Sequence, residues 1–308
     1  MPNVVTTPET NVITKQQMAR VRELDFATTF GENLNSFIQM LGITRRIPVT
    51  SGTVLKVLTV TGTLGNGVVP EGEIIPLSQY ATTWTPVGEI TLDKWRKATT
   101  GEAILKGGYD QAVNETDKKA ILDVQKAIRG TFLDYLATGE GEATGATIQA
   151  ALAAAWGQLQ VKFEDEDINA VYILNPLDVA DYLGTAQVST QTAFGFTYLE
   201  NFLGLGNVLL TPRVAKGTFY ATAAENLIVY YVNVNEANGL GEVFEFTTDP
   251  ETGFVGIHED ANYQRLQEET ILVAGVTIFA ERPAGVIVGT IGSNGGGGNG
   301  GGNGGGTG

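Results

Sequence analysis

The chain contains no cysteine and a single histidine among its 308 residues. Without thiols there are no disulfide staples and no thiolate metal sites, so stability has to come from packing, and an intracellular origin is unopposed. With His258 alone, the usual zinc ligand sets cannot be assembled from one chain. A Ser/His/Asp arrangement would have to use that same residue, which sits in a predicted hairpin between Ile257 and Glu259. No GxSxG elbow occurs anywhere, which argues against a hydrolase. Basic residues are scarce too: 19 Lys and Arg against 34 Asp and Glu leave a net charge of -15. Affinity for nucleic acid comes largely from cations that displace counterions from phosphate, so tight direct binding of DNA is disfavoured. An acidic surface is compatible with enclosing nucleic acid without adhering to it, and equally with an ordinary acidic protein. No apolar run approaches the ~18 residues of a membrane span. The N-terminal MPNVVTTPETNVITKQQ also lacks the basic start and apolar stretch of a signal peptide.

What is present is enough to fold: 43% of the residues are hydrophobic, and the length can hold two domains. The most informative stretch is residues 116–139, TDKKAILDVQKAIRGTFLDYLATG. Ile121, Val124, Ala127 or Ile128, Phe132, and Tyr135 or Leu136 recur every three or four residues, with Lys118, Lys119, Asp123, Lys126 and Asp134 between them, so the helix is amphipathic. Asn114 or Thr116 can serve as N-cap, Glu115 and Asp117 suit the positive end of the helix dipole, and Gly139 suits a left-handed backbone at the far end. Such a helix runs about 23 residues and roughly 35 Å. The sequon Asn114-Glu115-Thr116 reads as this cap rather than a glycosylation site.

Upstream, residues 1–22 read as a polar, Thr-rich arm, and residues 23–49 begin with a short helix that Gly31 could break. Residues 50–88 read as a long hairpin: a β-branched run around Val54, Val57 and Val60, a breaker-rich tip near 65–77, and a return through YATTWTPVGEI. A two-stranded ribbon of that length is marginal alone in water and should lie on a partner, which implies an oligomer.

Downstream, GEGEATG reads as a flexible joint, followed by an Ala-rich helix from about Thr147 to Gln160. A buried strand from Ala170 to Leu174 and a short helix after Pro176 follow. Residues 185–206 read as a loop region, then come strands and a hairpin around Asp249, Pro250 and Gly253. From Gly292 only Gly, Asn, Ser and Thr appear, a linker composition. The glycines at 139, 141, 145, 204 and 206 complete neither a dinucleotide fingerprint nor a phosphate loop. The acidic run Glu164 to Asp167 lacks the alternation of a calcium loop and reads as a solvated turn. Trp84 and Trp95 are expected in the core. The apolar run containing Phe194, Phe196, Tyr198 and Phe202 is expected at a subunit junction, because large exposed apolar patches mark contacts.

The order of these segments resembles the tailed-bacteriophage major capsid proteins of the Hong Kong 97-like fold family. VPEGEIIPL resembles the tip of that family's extended loop, WTPVGEITLDKWRKATTGEAI a strand of its peripheral domain, and ETDKKAILDVQKAIRGTFLDYLATG its spine helix. INAVYILNPLDVADYL resembles the axial domain, and ERPAGVIVGTI the closing strand of the peripheral domain. The resemblance implies an α+β fold with a 1–22 arm, a 23–49 helical segment and a 50–88 extended loop. It also implies a peripheral domain of 89–145 and 262–291, an inserted axial domain of 146–261, and a 292–308 tail.

The function it implies is self-assembly, without catalysis, cofactor or metal, into hexamers and pentamers of an icosahedral head around double-stranded DNA. The location is the virion, with assembly in the host cytoplasm and no membrane. Val68, Val69, Pro70, Ile74 and Ile75 at the loop tip join the aromatic cluster as expected interface residues. Portal and decoration proteins are implied partners. A separate scaffolding protein is expected, because Met1 stands close to where the family's mature arm starts. Lys56 is the only lysine between Arg46 and Asp93, so the Lys–Asn weld of some relatives is not expected. The alternatives are an encapsulin-type nanocompartment shell or, in another class, a monomeric β-rich binding module or hydrolase.

Overall fold

The computed structural model describes residues 15–164, 166–183, 191–193, 196–234, 243–249 and 251–292. The first 14 residues of the expected arm and residues 293–308 of the Gly/Asn-rich tail lie outside these. Helix α1 (Lys15–Met40) and strand β1 (Arg45–Pro48) come first. Strands β2 (Thr53–Thr63), β3 (Gln79–Ile90) and β4 (Asp93–Thr100) follow. Next are helix α2 (Gly101–Gly107), a π-turn over Asp110–Asn114 and the long helix α3 (Glu115–Leu136). After β5 (Gly141–Gly145) the chain forms α4 (Ile148–Lys162), β6 (Ala170–Leu174) and α5 (Pro176–Leu183). Four strands come next, β7 (Gln191–Ala193), β8 (Phe196–Phe202), β9 (Gly206–Leu210) and β10 (Thr218–Ala223). The last six are β11 (Leu227–Tyr231), β12 (Thr247–Thr248), β13 (Val255–Asn262), β14 (Gln267–Ala274), β15 (Val276–Ala280) and β16 (Ile287–Ile291).

The strands form four sheets: β1-β11-β15, β5-β16-β10-β6-β9-β8-β7, β12-β13-β14-β4, and the isolated pair β2-β3. This partition cuts across the expected domain boundaries. Residues 141–145 and 287–291, assigned to the peripheral unit, pair in parallel and belong to the seven-stranded sheet. Strands β11 and β13, assigned to the axial unit, pair with β15 and with β14 and so join the other body of the molecule. GEGEATG is therefore a strand and not a joint, and the expected loop region 185–206 contains β8.

Local chemistry explains both long helices. In α1, Phe26, Phe30, Leu34, Phe37 and Ile38 fall on one stripe and are buried. The helix starts at Lys15, so residues 15–22 are helical rather than an arm, and it runs unbroken through Gly31. Glycine is needed there for space: a Cβ on Gly31 would stand 2.5 Å from Asp249 Oδ2.

In α3, Ile121, Val124, Ile128, Phe132, Leu133 and Leu136 are buried. Its expected cap is absent, because Asn114 is itself helical at φ -61° and the helix continues out of the π-turn. Thr116 instead donates back to the Ala112 and Val113 carbonyls at 2.9 and 2.8 Å. Gly139 is not among the residues with positive φ. A Cβ there would meet the Val286 carbonyl oxygen at 2.6 Å, so closeness to the strand entry, not handedness, requires the glycine.

Two apolar cores result. One joins α1, α3 and the three- and four-stranded sheets; the other packs α4 on the seven-stranded sheet through Leu152, Leu159, Tyr172, Leu174, Phe202 and Phe219. Phe196 belongs to the first, with its ring stacked on Phe37 at 4.9 Å and 4°. The junction role expected for the aromatic cluster is therefore corrected for Phe196 and Phe202, both buried within the chain, while Tyr198 is half-buried against the first core. Phe194 lies outside the described residues. Phe196→Ala is expected to lose about 3–5 kcal/mol of stability, read from the urea midpoint of the unassembled subunit.

Candidate assembly interface

The isolated pair β2-β3 is a ribbon in register from Thr53↔Ile90 to Thr63↔Gln79, with one irregularity at Leu55/Lys56. Its 11-residue strand β2 spans roughly 35 Å at ~3.3 Å per residue. Only its base is held. Ile90 is buried, and Gly88 comes so close to Phe279 that a Cβ would stand 2.7 Å from the ring. Beside it, Val57, Trp84, Tyr230 and Phe279 line an open cavity of about 230 Å³. The rest of the ribbon carries Val60, Leu64, Tyr80 and Trp84 to the surface. Trp84, expected in the core, is 62% exposed, while Trp95 does pack against the first core.

The tip is turned by hydrogen bonds among its own residues. Val68 N donates to Asn66 Oδ1 at 3.1 Å, Glu73 N to the Pro70 carbonyl at 3.2 Å, and Gly65 N to Ser78 Oγ at 3.0 Å. Its side chains are left outside: Val68 is 86%, Ile74 94% and Leu77 90% exposed. Of the residues singled out at this tip, Val68, Pro70, Ile74 and Ile75 are exposed and Val69 is half-buried. Leu64 and Leu77 extend the same apolar surface and were not singled out, although the apolar run around the tip contains them.

A second exposed apolar group was missed entirely. Leu105 on α2, with Tyr263 and Leu266 in the turn between β13 and β14, sits at the end of the four-stranded sheet. The signal was there, since a turn normally takes polar residues and this one carries two large apolar ones.

Behind these surfaces two polar networks fix the first body. Arg22 of α1 donates to Tyr109 and Asn114, each at 2.8 Å, and pairs with the Glu259 carboxylate on β13. Burial pushes the Tyr109 hydroxyl up in pKa, against the pull of Arg22. In the second network Asp117 of α3 is 1% exposed, lies 2.5 Å from Lys97 Nζ and accepts from Thr270 Oγ1 at 2.8 Å. Lys97 also donates to Thr116 Oγ1 at 2.7 Å and to the Val113 carbonyl at 3.1 Å, so α3 is pinned across β4 and β14. The far end of α3 is held by Tyr135, whose hydroxyl accepts from Ala280 N at 3.1 Å. Among the described residues no group of three or more His, Cys, Asp and Glu side chains could hold a metal ion, and no helix is long and apolar enough to cross a membrane.

No protein-family model matches the chain, and no curated protein matches it in sequence. Solved structures do match in shape. A structure from Gordonia phage Cozz is 11% identical, with 84% of this chain covering 87% of that one at a TM-score of 0.51. The capsid of the native GTA particle is 10% identical, with 82% covering 95% at 0.48. The SrpI encapsulin of Synechococcus elongatus PCC 7942 is 7% identical, with 82% covering 86% at 0.42. With its projecting ribbon, spine helix and seven-stranded sheet, the chain has the α+β Hong Kong 97-like fold.

Proposed function

We propose that this chain is the major structural subunit of an icosahedral shell of the tailed-phage type, built from its hexamers and pentamers around double-stranded DNA. The observation that carries the reading is the ribbon: a two-stranded element anchored only at its base, with Leu64, Val68, Ile74, Ile75 and Leu77 in solvent at its far end. A monomer gains nothing by exposing that surface, whereas a neighbouring copy that covers it gains its burial. Folding and association then become linked, because whatever binds only the folded subunit stabilises it. The net charge of -15 suits an inner wall that encloses DNA without gripping it. A portal, a scaffolding protein and decoration proteins are the partners the reading implies, and copurification from infected cells would identify them.

Electron microscopy of the expressed protein tests the proposal: closed particles are expected, and a 32.6 kDa monomer at every concentration and salt would overturn it. The contents of native particles decide between heads and compartments. DNA inside supports a phage head; a packaged enzyme without a genome would replace that reading with an encapsulin-type shell.

The shell should also be held without covalent links. Lys56 lies near the ribbon's base opposite Pro86, and the tip has no lysine. Boiling particles in detergent is expected to give one monomer band, and a ladder of multimers would contradict it.

A further inference from the structure

Gly130 lies in the interior of α3, where glycine is disfavoured because it gives up the most backbone freedom. It is not among the glycines with positive φ, so handedness does not require it. Space does: a Cβ there would stand 2.8 Å from Arg213 Nη1 and 3.1 Å from Nη2. The Arg213 guanidinium lies against the helix and donates from Nη1 to the Lys126 carbonyl at 2.6 Å. The turn that carries it is fixed as well. Thr211 N donates to the Leu174 carbonyl at 3.0 Å, Val214 is buried in the first core, and Asn175 Nδ2 donates to the Val214 carbonyl at 2.7 Å.

Three cations therefore meet at one turn of α3: exposed Lys126, the seated Arg213, and half-buried Arg129, whose guanidinium carbon is 5.7 Å from the centre of the Phe196 ring. Burial lowers the Arg129 pKa, and the like charge of Arg213 lowers it further. Two guanidiniums this close repel each other, and an anion between them offsets that repulsion. Among the described residues neither Lys126 nor Arg213 makes a salt bridge. Of the acids around them, Asp123 pairs with Lys119, Asp178 accepts from Gly217 N at 2.9 Å, and Asp134 acts on Tyr220, whose pKa is raised first by burial. The other exposed cations outside salt bridges have no such seat. Lys106 has exposed Glu102 one turn back on α2, Arg46 donates to Asn35 Oδ1 at 2.7 Å, and Arg265 acts on Glu269, which Arg96 already holds. Among the described residues the ammonium groups of Lys56, Lys94, Lys162 and Lys216 make no hydrogen bond.

We propose that Arg213, Arg129 and Lys126 form a phosphate-binding site on α3, in which the planar forks of the two arginines take the phosphate oxygens and Lys126 adds a third positive charge. The source that the shell reading supplies is a phosphodiester of double-stranded DNA, and only that choice of source rests on the reading; free inorganic phosphate has the same chemistry. One such site per copy is compatible with the net charge of -15, because it makes a local contact on a surface that otherwise repels DNA.

Binding to unassembled subunits tests the site without needing particles, with a fluorescent DNA duplex at low salt as one probe and inorganic phosphate, followed by calorimetry, as the other. R213Q and K126Q are each expected to weaken duplex binding about tenfold. Each should also lower the slope of log affinity against log salt by about 1. K162Q, which removes the same charge from α4, should stay within about twofold of the unchanged protein. G130A keeps every charge and favours the helix but crowds Arg213 off its seat, so it should weaken binding about as much as R213Q does, with circular dichroism unchanged. Phosphate binding that is lost in R213Q and G130A while the duplex does not bind supports the site and makes free phosphate its ligand. Equal losses in R213Q and K162Q, full-strength binding by G130A, or no binding of either probe would overturn the site and leave the shell reading standing. Particle formation is scored separately, so a failed shell reading shows as absent particles with the binding intact.

Discussion

Replacing residues 64–78 with an Asn-Gly turn between Thr63 and Gln79 leaves a folded subunit that no longer forms particles. The fold should survive because none of the replaced residues belongs to either core, and Asn-Gly suits a tight turn between antiparallel strands. Assembly should fail because the deletion removes Leu64, Val68, Ile74, Ile75 and Leu77 together. Burying even two such side chains is worth roughly 1.5–3 kcal/mol each. At about 1.4 kcal/mol per decade, their loss weakens association about a hundredfold or more. Circular dichroism of the variant is expected to match the unchanged chain, while sedimentation velocity shows only small species. Particles at normal yield would show that the ribbon tip carries no assembly energy.

Lys97→Ala should be strongly destabilising to the subunit. It leaves the Asp117 carboxylate, 1% exposed, without its cation and strips partners from Thr116 Oγ1 and the Val113 carbonyl. Breaking a buried pair from one side costs about 3–5 kcal/mol, far more than the pair is worth intact, because the surviving charge cannot regain its hydration. The surface pair Lys119–Asp123 provides the contrast: both side chains are more than half exposed, and Lys119→Ala should lie within about 0.5 kcal/mol of the unchanged protein. The double variant K97M/D117L should recover most of the Lys97→Ala loss, since neither charge then remains to be buried. Urea unfolding of unassembled subunits measures all three. Equal midpoints for Lys97→Ala and Lys119→Ala would refute the role given to the buried pair.

Periodic segments were legible in advance because their signal is local. The stripe of α3, the β-branched runs of β2 and β3 around a breaker-rich tip, and the strand Ala170–Leu174 before Pro176 are each written within a few neighbouring residues, and all three formed. The errors fell where a distant partner decides. Phe196 and Phe202 looked like a loop patch, yet the rings stand opposite Phe37 and the α4 core, which are far away in the chain. Gly31 looked like a helix break and is a point of close approach to Asp249. Asp117 looked like a dipole-facing surface charge and is a buried partner of Lys97 and Thr270.

The order of amino acids alone thus determined the strongly periodic helices and strands, that a ribbon leaves the body with an apolar tip, and that cysteine chemistry plays no part. Only the tertiary structure decided which sheet receives β5 and β16, which aromatic rings are core, and that Leu105, Tyr263 and Leu266 gather at one sheet end. The physical reason is reach. Backbone propensity and side-chain period act over a few residues, whereas strand pairing and burial depend on contacts between residues as much as 237 positions apart, as in the Arg22–Glu259 pair.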